Sequence, residues 1–150
     1  MHIDELQDRA IENREAERTC NHCVRVCMAA GCQSSGADKV LDGLNAKLKQ
    51  DEGVKVKGVG CMGLCSAGPL VEVESKDQTD KILYQHVGAE DVDEVATSLN
   101  GKPIERLRCR TDIPFFTSQK KIVLENSGII NPEEIDDYIA ANGYLALVTA

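Results

Sequence analysis

Apolar positions fall along the chain in short, separable patterns. Residues 3–19 are mostly charged or amide-bearing, with a narrow stripe at Ile3, Leu6 and Ala10 that marks one face of an α-helix. So thin a stripe predicts a helix resting on a neighbouring element or a second subunit, its charged side solvated. Val24 to Cys27 reads as a first strand. Ala37, Val40, Leu41, Leu44 and Leu48 recur at helical spacing and predict a helix opened by a Ser35/Asp38 capping box and ended at Gly53. Val54 to Val59 is the next strand, and Pro69 introduces another at Leu70 to Glu74. A polar turn over Asp77 to Asp80 leads to a return strand from Ile82 to Val87. Glu90, Asp91, Asp93 and Glu94 load the first turn of a helix, where carboxylates complement the dipole. Its stripe is Val92, Val95, Ala96 and Leu99, and Gly101 and Pro103 stop it.

From Val24 the order is strand, helix, strand, strand, strand, helix. That β-α-β-β-β-α order is the thioredoxin-like α/β core, helices covering a small mixed sheet. The expected organisation is an N-terminal helix over residues 1–19, the α/β domain over 20–101, a linker over 102–113 and a further segment over 114–150. In that segment Lys121 to Leu124 looks strand-like. A helix follows with Asn131, Pro132 and Glu134 at N-cap, N1 and N3, and Gly143 closes it. The segment holds both Phe residues and two of the three Tyr residues. It is too short to bury them alone, so it reads as the opening of a second domain that the chain does not complete.

Composition narrows the function. A length of 150 residues gives room for a buried core, which must be built from Val, Leu, Ile and Ala because aromatics are sparse and Trp is absent. A net charge of -8 argues against nucleic acid and anionic membrane surfaces as partners. No apolar run is long enough for membrane insertion. The opening residues are too acidic for a secretory signal, and seven cysteines, an odd count, favour reduced thiols and a cytoplasmic location.

The chemistry lies in two cysteine brackets, Cys27-x4-Cys32 and Cys61-x3-Cys65. Each follows a Val-rich strand and encloses Gly or small residues, so two strand ends could bring four thiolates to one sheet edge. Four soft thiolates imply a metal centre, with Fe–S and Zn the candidates. Zinc sites use similar brackets, and a structural zinc module that docks subunits is one reading. Unequal bracket spacing, Gly31, Gly60 and Gly63 free to bring N–H groups to sulfur, and a core able to fold without metal favour iron–sulfur. Met28, Met62 and Leu64 flank the brackets and would shield such a centre from water.

The other candidates weigh less. Cys20-Asn21-His22-Cys23 copies the redox C-x-x-C form, which gives a dithiol oxidoreductase reading, but it precedes the strand instead of opening a helix. Cys20, Cys23, Cys27 and Cys32 form a rival four-thiolate set. Cys109 sits among Arg106, Arg108 and Arg110, which could lower its pKa, although an inert packed thiol is the simpler reading. His22 and His86 do not keep the cysteine spacing and read as surface or sheet-lining residues. Gly58-Val59-Gly60-Cys61-Met62-Gly63 fits G-x-G-x-x-G, yet a strand follows where a nucleotide site needs a helix. Asp136 and Asp137 are adjacent on a helix and diverge, which leaves them no acid–base role.

The two brackets, with Gly60-Cys61-Met62-Gly63-Leu64-Cys65-Ser66-Ala67-Gly68-Pro69, resemble the thioredoxin-like [2Fe–2S] ferredoxins, which include the small iron–sulfur subunit of respiratory complex I. The tail from Ile113 to Gly128, with Asn131-Pro132-Glu133-Glu134-Ile135, is similar to the opening of the complex I flavoprotein subunit. That fusion resembles the diaphorase subunits of NAD-reducing and bifurcating hydrogenases, and its Leu-Glu-Asn-Ser-Gly form looks closest to the bidirectional [NiFe] hydrogenase. The resemblance implies a [2Fe–2S] cluster on Cys27, Cys32, Cys61 and Cys65, and one-electron transfer within an NAD(P)H-linked diaphorase. It implies other diaphorase, hydrogenase or formate dehydrogenase subunits as partners. FMN and NAD(P) would bind only in the full-length protein or complex, because the family's glycine-rich flavin stretch is missing here. The chain would thus be part of an oxidoreductase and not catalytic alone.

Overall fold

In the computed structural model, which describes residues 3–76 and 81–150, α1 (Ile3–Thr19) leads into β1 (His22–Cys27). A short α2 (Ala30–Ser34) and the longer α3 (Ala37–Leu48) connect to β2 (Val54–Val59). β3 (Val71–Ser75), β4 (Ile82–Tyr84) and α4 (Val92–Ser98) complete the expected strand–helix order. Three short helices follow: α5 (Pro114–Thr117), α6 (Ile135–Ala140) and α7 (Leu145–Thr149). Among the described residues the strands make one mixed sheet in the order β2-β1-β3-β4, with β1 parallel to β2 and the other pairs antiparallel. Parallel neighbours cannot be joined by a hairpin, so α2 and α3 form the crossover.

Strand alternation gives the sheet two unlike faces. Val24 pairs with Val56 and Val73, and Val26 with Val71. This apolar face packs with Val40 and Leu44 of α3 and Val95 and Leu99 of α4 in one buried cluster. Each such aliphatic side chain contributes roughly 1.5–3 kcal/mol on burial. Among the described residues Tyr84 is the one fully buried aromatic ring; its hydroxyl donates to Ser98 Oγ at 3.3 Å and accepts from the Ile104 N–H at 3.4 Å.

The other face is charged. Arg25, only 7% exposed, donates to Glu72 at 2.9 Å and Glu74 at 2.6 Å across the strand pair. Lys57 of β2, also buried, reaches Asp137 of α6 at 3.0 Å and Glu17 of α1. Ion pairs thus draw α1 and α6 onto this face, and Leu6, Ala10 and Ile139 add a small second core between them. The predicted neighbour for the thin stripe of α1 is therefore α6, reinforced by Arg9 to Asp136 at 2.6 Å.

Several local expectations are corrected. Ser35 does not cap α3: its hydroxyl donates back to the Gly31 carbonyl at 3.1 Å inside the α2 turn, and Gly36 (φ +96°) takes the N-cap position. α3 ends at Leu48, and Gly53 instead gives its carbonyl to the N–H groups of Asn21 and His22 at the entry to β1. β3 is shifted by one residue, Val71–Ser75. β4 stops at Tyr84 because His86 turns through a positive φ of 52°. The stretch expected as a linker is docked: Gln85 donates to Leu107 O, Cys109 donates to Leu83 O, and Ile104, Leu107 and Cys109 are buried. It forms an outer rung beside β4.

In the tail, Lys121 to Leu124 is a turn, not a strand; Val123 is 94% exposed and no pairing strand lies beside it among the described residues. α6 starts only at Ile135, with Glu134 at the N-cap position, because Asn131 accepts the Glu133 N–H instead of capping the helix. Its end is a Schellman turn one residue earlier than expected. Asn142, at φ +66°, takes the left-handed position, and Gly143 N donates to Tyr138 O at 2.8 Å. The turn expected over 77–80 lies outside the described residues.

Candidate metal centre

The sheet's end is where the two brackets meet. β1 finishes at Cys27, whose N–H donates to Leu70 O at 3.0 Å, while the next N–H, of Met28, donates to Val59 O at 2.9 Å. The chain leaving β1 is thus wedged between the end of β2 and the start of β3. Cys32 sits in α2, which makes the first bracket a helical turn and not an open loop. The second bracket leaves β2, turns at Gly63 (φ +97°) and enters a 3₁₀ turn over Cys65–Ala67. Gly63 N donates to Cys61 Sγ at 3.3 Å, so one backbone N–H already points at a thiol sulfur.

Two glycines interlock the brackets. A Cβ on Gly31 would stand 3.2 Å from Cys65 Cβ and 3.4 Å from its Sγ, and one on Gly68 would stand 2.8 Å from Cys32 Sγ. Gly31 of the first bracket thereby rests on the Cys65 thiol, and Gly68, just past the second, on the Cys32 thiol, with only hydrogen where a side chain would intrude. Burial and the neighbouring Cys27 sulfur push the Cys32 thiol up to about 12. The Cys61 sulfur raises Cys65, which also feels Cys27. The thiols therefore meet as two pairs, Cys27 with Cys32 and Cys61 with Cys65; among the described residues no three His, Cys, Asp or Glu side chains close on one point. Cys27 and Cys32 are buried, Cys61 is half-buried and Cys65 is exposed, so one rim faces solvent. Met28, Met62 and Leu64 pack against the core at this rim.

Such a donor set fits an iron–sulfur group. It is all thiolate, its two pairs lie beside one another, and its glycines leave room beside the sulfurs. Deprotonated thiols at this spacing repel one another, which is the reason protonation is favoured until a cation binds.

The remaining candidates fall elsewhere. Cys20 ends α1 with its thiol on Ala16 O at 3.4 Å, and Cys23 lies on the charged face, where burial raises its pKa. Four strand residues at about 3.3 Å each separate Cys23 from Cys27, roughly 13 Å, which one centre cannot bridge. The rival set Cys20, Cys23, Cys27 and Cys32 is excluded on that ground. Burial, not the nearby arginines, governs Cys109 and pushes it up. His22 is held by Ser75 at 2.8 Å at the far end of β1, and exposed His86 contributes its N–H to Ala67 O. Gly58, Gly60 and Gly63 lead to a 3₁₀ turn and a strand, not to a nucleotide-binding helix. Asp137 serves Lys57 and Asp136 serves Arg9.

Sequence reasoning missed part of the site. Gly60, expected near sulfur, donates to Ile130 O at 3.2 Å instead. Gly68 stands in the sequence only as part of the Gly-Pro pattern, and its contact with Cys32 follows from a crossing 36 positions apart that no local signal carries. Ser127 and Gly128 reach the second bracket from the tail, again through tertiary packing alone.

A mixed four-stranded sheet, helices over its apolar face and two thiol pairs at its end define a thioredoxin-like thiolate protein. Comparison with known proteins agrees. The family model for thioredoxin-like [2Fe-2S] ferredoxin matches residues 13–100, and the chain belongs to that family. It is 39% identical over 57 residues to "Ferredoxin, 2Fe-2S" from Clostridium pasteurianum, a match covering 37% of this chain and 52% of that relative. The chain thus spans about half the length of that curated relative. The wild-type thioredoxin-like [2Fe-2S] ferredoxin of Aquifex aeolicus superposes with a TM-score of 0.52 at 28% identity, covering 61% of this chain and 98% of that one. A cysteine-to-serine variant of the same ferredoxin gives the same TM-score and identity over 59% of this chain. No helix among the described residues is long and apolar enough to cross a membrane.

Proposed function

We propose that this chain holds a [2Fe–2S] cluster on Cys27, Cys32, Cys61 and Cys65 and transfers single electrons through it. The observation that carries this reading is the interlocked pairing of the brackets, with Gly31 against Cys65 and Gly68 against Cys32. When bound, the cluster supplies one-electron redox chemistry. The chain's own residues present four thiolates, exclude bulk water from the inner pair and direct the Gly63 N–H to Cys61 Sγ. Family membership supports the same reading. Nothing observed favours zinc over iron at these thiols. The dithiol reading of Cys20 and Cys23 is weakened by the burial that raises Cys23.

Anaerobic purification tests the reading. A brown protein with about two irons and two acid-labile sulfides per chain supports it. A colourless protein with one zinc overturns it, as does a metal-free protein in which Cys20 and Cys23 cycle with dithiothreitol.

The wider role we propose is a segment of an NAD(P)H-linked diaphorase, cytoplasmic and partnered by hydrogenase or formate dehydrogenase subunits. In this reading residues 114–150 open a flavoprotein-type domain, and FMN and NAD(P) bind only in the full-length protein or complex. Its support is the tail motif and the way that tail is seated: Ser127, within Leu124-Glu125-Asn126-Ser127-Gly128, is hydrogen-bonded to the Cys61 carbonyl. Co-purification of the full-length protein with flavin, and NADH-dependent bleaching of its visible bands, are the expected results.

A further inference from the structure

The tail clasps the second thiol loop. Ser127 Oγ donates to the Cys61 carbonyl at 2.7 Å across 66 positions. Gly60 N, one residue before, donates to Ile130 O at 3.2 Å. Between these rungs Gly128 is buried at φ +83°, where a Cβ would stand 3.3 Å from Met62 Cα and 3.2 Å from Met62 Cγ. A side chain there would be strained by its backbone angle and would push the loop away, so glycine is what lets the two backbones touch. Ser127 is itself fixed by a local turn: its N–H donates to Leu124 O, and Ile129 and Ile130 both donate to Asn126 O.

Resting on the ligand set proposed above, we propose that residues 126–130 form a positioning strap for Cys61, with Ser127 as its key residue. The strap holds the Cys61 carbonyl and the Gly60 amide on either side of the ligand's Cα. The loop then runs on to Gly63, whose N–H donates to Cys61 Sγ at 3.3 Å. Hydrogen bonds to cluster-bound sulfur stabilise the more negative, reduced state, so holding this N–H in place raises the reduction potential. Ser127 acts through Cys61 and touches no thiol, which makes it a positioning residue. The strap also ties the tail mechanically to the second bracket, so movement of residues 126–130 is felt at Cys61.

The test compares the full chain with Ser127→Ala and Ser127→Thr. Ser127→Ala keeps all four thiols and is expected to keep its iron and sulfide. Its reduction equilibrium is expected to move toward the oxidised form by up to about tenfold, which is 59 mV for a one-electron couple. An altered electron paramagnetic resonance spectrum of the reduced cluster should accompany that shift. Ser127→Thr retains the hydroxyl and is expected to restore both. An unchanged potential and spectrum in Ser127→Ala overturns the proposal, and so does a Ser127→Thr variant that behaves like Ala. Hydrogen exchange on the metal-free chain supplies a readout that needs no cluster: the Gly60 amide should be protected and should lose protection in Ser127→Ala. A Gly60 amide that exchanges freely in the parent chain overturns the strap. Failure of the cluster assignment would show separately, as absence of iron and sulfide from the parent protein.

Discussion

Replacing Lys57 with Met tests how the terminal segments are held to the sheet. The Lys57 and Asp137 side chains are only 8% and 6% exposed, and their ion pair at 3.0 Å lies between β2 and α6. Met fills a similar volume, so the substitution removes charge without opening a large cavity. Glu17 keeps Lys55 at 3.3 Å, whereas Asp137 keeps the Asn131 N–H at 2.8 Å and the more distant Lys55 charge. Stripping one partner from a buried pair costs about 3–5 kcal/mol, and the surviving N–H places Lys57→Met near the lower end, about 3 kcal/mol. For a chain of this length that is a fall in Tm of roughly 6–12 °C. The assay is urea and thermal unfolding of the metal-free chain followed by circular dichroism. The decisive comparison is the double variant Lys57→Met with Asp137→Leu. With both charges gone, the desolvation cost disappears and most of the lost stability should return, to within about 1 kcal/mol of the parent. A double variant no better than the single one would refute the stranded-carboxylate reasoning, as would a single variant within about 0.5 kcal/mol of the parent.

Gly68→Ala places a Cβ 2.8 Å from Cys32 Sγ, and overpacking at so tight a contact should cost about 1–3 kcal/mol and lower the iron content per chain. Single Cys→Ser changes at Cys27, Cys32, Cys61 and Cys65 should each abolish or alter the visible spectrum, while the same change at Cys20, Cys23 or Cys109 should leave it intact; loss of colour in one of the latter would show the ligand choice to be wrong. Acid should destabilise the fold in a definite window. Burial opposes ionisation of Glu17, Glu74, Asp91 and Asp137, but their Lys and Arg partners, with the backbone N–H groups of Gly88 at Asp91 and Asn131 at Asp137, hold all four below the usual carboxylate range. Their stabilisation is complete above an unfolded pKa of about 4 and is lost as pH falls through the lower folded values, which unfolding curves from pH 6 down to 2 should show. Ile139→Ala, emptying the small core beside Leu6 and Ala10, should cost about 2–4 kcal/mol and expose residues 135–150 to protease before the sheet.

Hydrophobic spacing made the sheet and its helices legible because each strand and helix there buries one regular face. Val24, Val26, Val71 and Val73 alternate into the same core, and Val40 and Leu44 meet them from above. The brackets were legible for a chemical reason, since cysteine spacing survives whatever the loops do. Terminal details were less legible. Ser35 had two acceptable uses for its hydroxyl, and the α2 turn claimed it. Lys121 to Leu124 has strand-like composition, but composition cannot supply a partner strand. The charged face of the sheet was hidden most deeply. Lys57, Glu17 and Asp137 each look like ordinary surface residues, and only the fold brings them together and buries Lys57 and Asp137.

Tyr84 has an optical consequence. The chain has no Trp and only three Tyr residues, and the other two, Tyr138 and Tyr144, sit edge to face at 5.1 Å in the tail. Its ultraviolet absorption is therefore faint, and any coloured group gripped by the thiols dominates the light a sample takes up. Emission from the buried ring would be drained into such a group by energy transfer. Brightening would then mark each molecule that sheds its irons.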